Sequence, residues 1–422
     1  MTIMRKNLAP VILLIALAAC RRDKGPPYER QLAEYTPQVE AALGLKFKTP
    51  PKMEVRTKDQ VREFLLSHIR DSIPTRELDG QTALFRALGL ISDTLDLKKL
   101  FVPLLTEQII GFYDPKTKVL YVVDGAPKDY AGYTIMHELV HALQDQYINL
   151  DSLERLTYDS DRQAAMQTVI EGQATFEQIV MMTGGKGSIT ASLPGGWQQM
   201  QDVIRQATAT QPVFASAPMV IQEALLFPYV NGADFVRRYK QRHPSRMPFD
   251  SLPVSTEQVM HDDSYFNRPK DQPVTVGLPP LANKIYENNL GEFGVRLFLY
   301  HHLRDIKAAA AAAQGWGGDR YAVVSTPRGN GVVMVSAWDT PVDGAEYFRA
   351  LTAVTGKRFG DSTGVVPAAN KSETSELRRY TAKGRTIVIA TREVAGRMVV
   401  SYVEVPEGAT VPIVDLSKVT LR

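Results

Sequence analysis

The sequence predicts an α+β protein. A mostly helical domain with a small β-sheet spans residues 51–314, and a small α+β domain follows at 315–422. Three observations predict this. Ile109 to Asp114 and Val119 to Val123 are apolar, aromatic runs flanking Pro115-Lys116-Thr117-Lys118, which reads as a β-hairpin. After a Gly125-Ala126-Pro127 turn, Tyr133 to Gln146 is apolar almost all the way round a helix, which marks a buried one. Beyond Trp316 the pattern changes: 321–325, 331–338, 386–391 and 398–403 read as strands, with a helix at 342–354.

From the N-terminus, Arg5 and Lys6 precede an apolar run from Leu8 to Ala19, too short to span a bilayer. Residues 1–19 therefore read as a targeting segment. Its end, Leu17-Ala18-Ala19-Cys20, resembles the lipobox of bacterial lipoproteins. The resemblance implies a lipid on Cys20, a membrane contact through that lipid, and a place on the extracytoplasmic side of the bacterial cell envelope. Cys20 is the single cysteine, so the mature chain forms no internal disulfide and has no thiol nucleophile. The net charge of +3 includes Arg5 and Lys6. No basic stripe interleaved with aromatics is visible, so the pattern gives no support for a nucleic-acid partner.

A polar tether at 21–27 leads to helical periodicity at 28–43, so 20–50 reads as tether plus N-terminal helix. Residues 53–57 read as a strand, and 59–72, 78–90 and 95–105 as helices. After the hairpin and the central helix, 161–182 is again helical. Residues 184–220, rich in Gly, Ser, Thr, Pro and Gln, read as a mobile segment beside a cleft. A helix at 223–241 is expected to break at Pro228-Tyr229-Val230-Asn231-Gly232. Ser255-Thr256-Glu257 suits a helix start, and another helix opens at Leu290 and runs into the alanine block 308–313.

The central helix carries His137-Glu138-Leu139-Val140-His141. On a helix, two histidines four residues apart lie one turn apart on one face, so both imidazoles can converge on one ion. Glu138, on the flank of that face, can reach a water at the ion without binding the ion itself. Two nitrogen ligands, an adjacent base and an open position are what a hydrolytic zinc site needs. The chain has only 7 histidines, so a chance pattern of this kind is expected well under roughly 0.1 times.

A small sheet whose last strand feeds a His-Glu-x-x-His helix resembles the upper subdomain of zincin metallopeptidases. In them the strand nearest the cleft aligns an extended peptide by backbone hydrogen bonds. A metzincin would continue His-x-x-Gly-x-x-His, but Gln144 and Tyr147 occupy those positions. Gluzincins take a third ligand from a glutamate on a following helix, and Glu171 stands in the middle of 161–182. A helix ending near Tyr147 runs about 9 Å past His141, and one starting near Asp161 reaches Glu171 after about 15 Å, so an antiparallel pair would match their levels. On the alternative reading Glu171 sits on a solvated face. Thermolysin-like gluzincins place an Asp four residues after this Glu, where Thr175 stands here, so the orienting partners of the histidines are open between Asp145 and Gln173.

Glu-Gly-x-Ala-Thr at 171–175, Ser255-Thr256-Glu257-Gln258-x-x-His261, Leu290-Gly291-Glu292-Phe293-Gly294 and Gly315 to Tyr321 resemble a group of predicted bacterial zincin-like proteins, often lipoproteins. The resemblance implies a Zn2+-dependent peptidase acting on a peptide or protein, with His137, His141 and Glu171 on zinc and Glu138 as general base. His261 and Tyr265 are the candidate stabilisers of the oxyanion. The competing expectation is an envelope scaffold with a structural zinc site. Glu138 argues against it, because a structural site has no use for a base beside an open position.

Overall fold

The computed structural model describes residues 28–422 except 73–74, 127, 154–157, 184–201, 203–204, 207, 361–375 and 411–413. The targeting segment, Cys20 and the polar tether lie outside the described residues, as does most of the segment expected to be mobile. The fold is α+β.

The N-terminal half runs α1 (Glu29–Leu43), β1 (Lys52–Arg56), α2 (Lys58–Ser72), α3 (Thr75–Ala87) and α4 (Leu97–Gln108). It continues with β2 (Gly111–Asp114), β3 (Val119–Val123), α5 (Lys128–Asp145), α6 (Leu150–Leu153) and α7 (Ser160–Met182). The strands form one sheet in the order β1-β3-β2, with β1 parallel and β2 antiparallel to β3. Asp114 makes the hairpin turn, accepting from the Lys116 N–H and the Thr117 hydroxyl. Gly111 lets this sheet settle on α5, since a Cβ there would lie 2.7 Å from Tyr121 O and 2.9 Å from Thr134 Cγ2. Leu120, Val122, Ile135, Leu139, Leu143 and Ala174 pack with Val39 and Leu43 into a core that fixes α5 between the sheet, α1 and α7.

Helices α8 (Pro212–Ser216), α9 (Met219–Arg242), α10 (Thr256–Met260) and α11 (Asp262–Phe266) come next. The expected break at 228–232 is absent: α9 runs through Pro228. The carbonyl that Pro228 leaves without a donor belongs to exposed Ala224, where water can take it. The helix is held by its packing on α7. Where they cross, a Cβ on Gly172 would lie 2.2 Å from the Gly232 carbonyl carbon, and one on Gly232 would lie 2.1 Å from Thr168 O. The two backbones touch there with no side chain between them.

The remainder is β4 (Val276–Gly277), β5 (Lys284–Asn288), α12 (Gly291–Leu303), α13 (Ile306–Ala313), β6 (Trp316–Thr326), β7 (Gly329–Trp338), α14 (Pro341–Phe359), β8 (Leu377–Ala382), β9 (Arg385–Val394), β10 (Arg397–Pro406) and β11 (Thr420–Leu421). Its six-stranded antiparallel sheet has the order β5-β6-β7-β10-β9-β8. The continuous apolar strands β7 and β10 are covered on both faces. One face meets α3, α12, α13 and α14 around Trp316, Trp338, Tyr321 and Tyr347, and the other meets Val276, Leu416 and Val419. Strand β5 belongs to this sheet although it precedes the boundary expected at residue 315.

Candidate metal centre

Helices α5 and α7 bring His137, His141 and Glu171 together. One carboxylate oxygen, Glu171 Oε2, lies 3.3 Å from His137 Nε2 and 3.3 Å from His141 Nε2. These separations are long for an N–H···O hydrogen bond, which centres near 2.9–3.0 Å. They match the edge of a tetrahedron whose corners lie at zinc–ligand distances of 2.0–2.1 Å, about 3.3 Å. The donor set, two imidazole nitrogens and one carboxylate oxygen, is also one that zinc accepts in catalytic sites. The residues present therefore fit a zinc ion.

A buried amide fixes the tautomer of His141. Gln144 donates through Nε2 to Ile170 O (3.2 Å) and Gln173 Oε1 (3.0 Å), so its Oε1 faces His141 Nδ1 at 2.9 Å. That oxygen requires a proton on Nδ1, so Nε2, the nitrogen that faces Glu171, is the one left to bind an ion. Gln173 thus acts on the histidine through Gln144. Asp145 is committed elsewhere, accepting from the Tyr113 hydroxyl (2.7 Å), Lys118 Nζ (2.6 Å) and Leu150 N–H (3.0 Å).

Burial pushes the Glu171 carboxyl up, but the charge of His141 and hydrogen bonds from both imidazoles outweigh it and hold it well below the usual carboxylate range. Burial pushes His141 down, but the Glu171 charge and hydrogen bond raise it to about 9.

Glu138 faces the terminal strand of the three-stranded sheet. Its Oε2 accepts the Tyr113 N–H at 2.8 Å. Tyr113 pairs with Leu120 along β3, so this N–H points from the outer edge of β2 toward the site. Burial raises the Glu138 carboxyl, against the lowering effect of the two histidines, and the Glu171 charge adds to the rise. The carboxyl is thus poised as a base, with one oxygen anchored and the other uncommitted.

Tyr229, which sequence reasoning passed over as part of a helix break, is the fifth group here. It stands one turn before Gly232 on α9, so the Gly172–Gly232 crossing presses it against the site. Its hydroxyl feels the Glu171 charge, and its ring centroid lies 6.1 Å from that of His137. The residue remains 37% exposed, so this side opens outward. The Glu171 charge, helped by burial, raises its pKa well above the ordinary value and keeps it a hydrogen-bond donor.

The two expected oxyanion stabilisers are not brought to this cluster. His261 Nε2 lies 2.8 Å from Glu292 Oε1. The Tyr265 hydroxyl donates to Ser251 O, and the ring is buried among Phe235, Tyr239 and Val259. Both residues, at the junction of α10 and α11 and on α11, are taken up by these other polar and apolar partners. A cavity of about 810 Å³ also lies apart from the histidines, lined by Asp79, Arg86, Arg358, Arg385 and Glu404.

Residues 280–417 match the family described as Domain of unknown function (DUF8575). That stretch covers the six-stranded sheet with α12–α14 and leaves out His137, Glu138, His141, Glu171 and Tyr229. No curated protein matches the chain. Among solved structures, the chain is similar to a "putative hydrolase with a novel fold" from Chloroflexus aurantiacus, at 18% identity, over 56% of this chain and 86% of that one. The TM-score is 0.30, too low to equate the folds, so the chemistry of the cluster rests on this chain's own residues.

Proposed function

We propose that the protein is a zinc-dependent peptidase. The observation that supports this most is the single Glu171 oxygen placed 3.3 Å from both Nε2 atoms, with Glu138 beside it as an unligated base. Zinc bound by His137, His141 and Glu171 would lower the pKa of a water and polarise a carbonyl, as it does in gluzincins. Glu138 would take the proton of that water and pass it to the leaving amine. The outer edge of β2, beyond the Tyr113 N–H that Glu138 holds, would align the substrate extended, strand to strand. Tyr229 would donate its hydroxyl proton to the oxygen that becomes negative at the scissile carbon.

The test is metal content together with cleavage. Purified wild type should carry about one zinc per chain and cleave an unfolded protein. Glu171→Ala should lose most of its zinc affinity and, with it, cleavage. Full zinc occupancy in Glu171→Ala would move the third ligand elsewhere.

We also propose that a lipid on Cys20 holds the chain at the envelope. No helix among the described residues is long and apolar enough to cross a membrane. Cys20→Ser should release the protein to a soluble fraction or leave it unprocessed. A Cys20→Ser chain that is cleaved normally and stays in the membrane would refute the lipid anchor.

A further inference from the structure

Three of the sequence stretches singled out above have no part in the histidine cluster. They meet at a different place. Glu257, from Ser255-Thr256-Glu257-Gln258, lies on α10. Asp271 follows α11, and Asp339 follows β7. These three carboxylates each turn an oxygen to one point, with all three atoms within 4.8 Å of one another. Gln258 Nε2 donates to Asp271 O and so holds the loop that presents Asp271. Gly317, from the Gly315–Tyr321 stretch, makes room for the pair of Arg397 and Asp339, since a Cβ there would lie 2.4 Å from Arg397 and 2.8 Å from Asp339 Oδ1.

The independent sign of a ligand is Glu257 itself. It is only 4% exposed, and its Oε2 is buried with no hydrogen-bond partner. Glu292, on α12 from the Leu290–Gly294 stretch, is 2% exposed and also has an unpartnered Oε2. An ionised carboxylate so placed is costly unless a proton or a cation neutralises it. Burial, the charges of Asp271, Glu292 and Asp339, and a hydrogen bond shared with Asp271 push the Glu257 carboxyl up to about 10. Arg397 is the cation paired with this group, and it is bound to Asp339.

We propose that Glu257, Asp271 and Asp339 form a calcium site, separate from the zinc centre, that ties residues 255–271 to the end of β7. All the donors are carboxylate oxygens, the preference of a hard cation and not of zinc. Oxygens at 2.3–2.6 Å from calcium lie at most about 4.6–5.2 Å apart, so three within 4.8 Å fit one coordination sphere. Calcium would satisfy the orphaned Glu257 oxygen that a proton on the other oxygen leaves bare.

The experiment uses the full chain with its zinc in place. Equilibrium dialysis against Ca2+ should find one calcium per chain in wild type, and Ca2+ at about 100 times its Kd should raise Tm by a few degrees. Glu257→Gln and Asp339→Asn should each lose this calcium and the Tm shift while keeping zinc. Asp339 is the more exposed, so D339N keeps the test open if E257Q folds poorly. Glu257→Gln also mimics a protonated Glu257. If folded wild type binds no Ca2+ at millimolar concentration, or both variants bind it as wild type does, the site does not exist and Glu257 holds a proton. Protection by Mg2+ but not Ca2+ would equally overturn the calcium assignment.

Discussion

Glu138→Gln should lower peptide cleavage by roughly 10²–10⁴-fold, the contribution of a positioned general base. The substitution keeps shape and volume, and the amide oxygen can still accept the Tyr113 N–H that Glu138 Oε2 accepts at 2.8 Å. The other end becomes an NH₂, which cannot take a proton from water. Zinc content should be unchanged, because Glu138 is outside the trio of His137, His141 and Glu171. Thermal stability should change little, since a neutral amide replaces a carboxyl that burial already disfavours in its charged form. The variant should therefore retain substrate it cannot cut. Equal cleavage by the two proteins, or no cleavage by zinc-loaded wild type, would transfer the cluster to the structural-zinc scaffold reading.

Tyr229→Phe should lower kcat by about 10²–10³-fold with KM nearly unchanged, the usual cost of removing one oxyanion donor. The ring and its packing on α7 stay in place, so only the donor is lost. A role limited to holding Glu171 gives a different pattern: zinc affinity should then fall about 10–100-fold, and excess zinc should restore activity. Measuring zinc affinity and kcat on the same variant separates the two. Unchanged kcat with zinc saturating would remove Tyr229 from the chemistry.

The histidine cluster was legible because its signal is local. The four-residue spacing of His137 and His141 specifies one helix face, and one helical return brings Glu171 to the same level. Burial of Ile135, Leu139, Val140 and Leu143 follows from the same periodicity. Tyr229 was not legible, because its position depends on a contact between α7 and α9, and Pro228 beside it reads as a helix breaker. The available signal was the pair Gly172 and Gly232, each the one residue on its helix that could let the two backbones touch. Expecting His261 and Tyr265 at the site failed for a related reason. Sequence order says which residues come later, and only packing says that Glu292 and Ser251 take their polar atoms.

At the level of fold class, α+β was readable from the hairpin, the all-round apolar helix and the strand runs beyond Trp316. The edge strands of the large sheet were harder. Strand β8, Leu-Arg-Arg-Tyr-Thr-Ala, alternates between exposed and half-buried residues, and β5 is five residues long with a bulge after Lys284. Short, partly polar edge strands carry little hydrophobic contrast, so periodicity does not separate them from loops.

The contact between Gly172 and Gly232 also sets how this protein can change. Most helix pairs are spaced by side chains that can be traded for slightly larger or smaller ones. Here the gauge is the backbone itself, which offers no intermediate sizes. Even the smallest addition, a methyl group, must drive α9 away from α7, and Tyr229 travels with α9 while Glu171 stays with α7. The distance from the phenol to the Glu171 carboxylate is thus not a quantity that mutation can tune in small steps. On the peptidase reading, variation in specificity would be left to the outer edge of β2 and to the residues around the exposed face of Tyr229, where side chains can be exchanged without moving the frame.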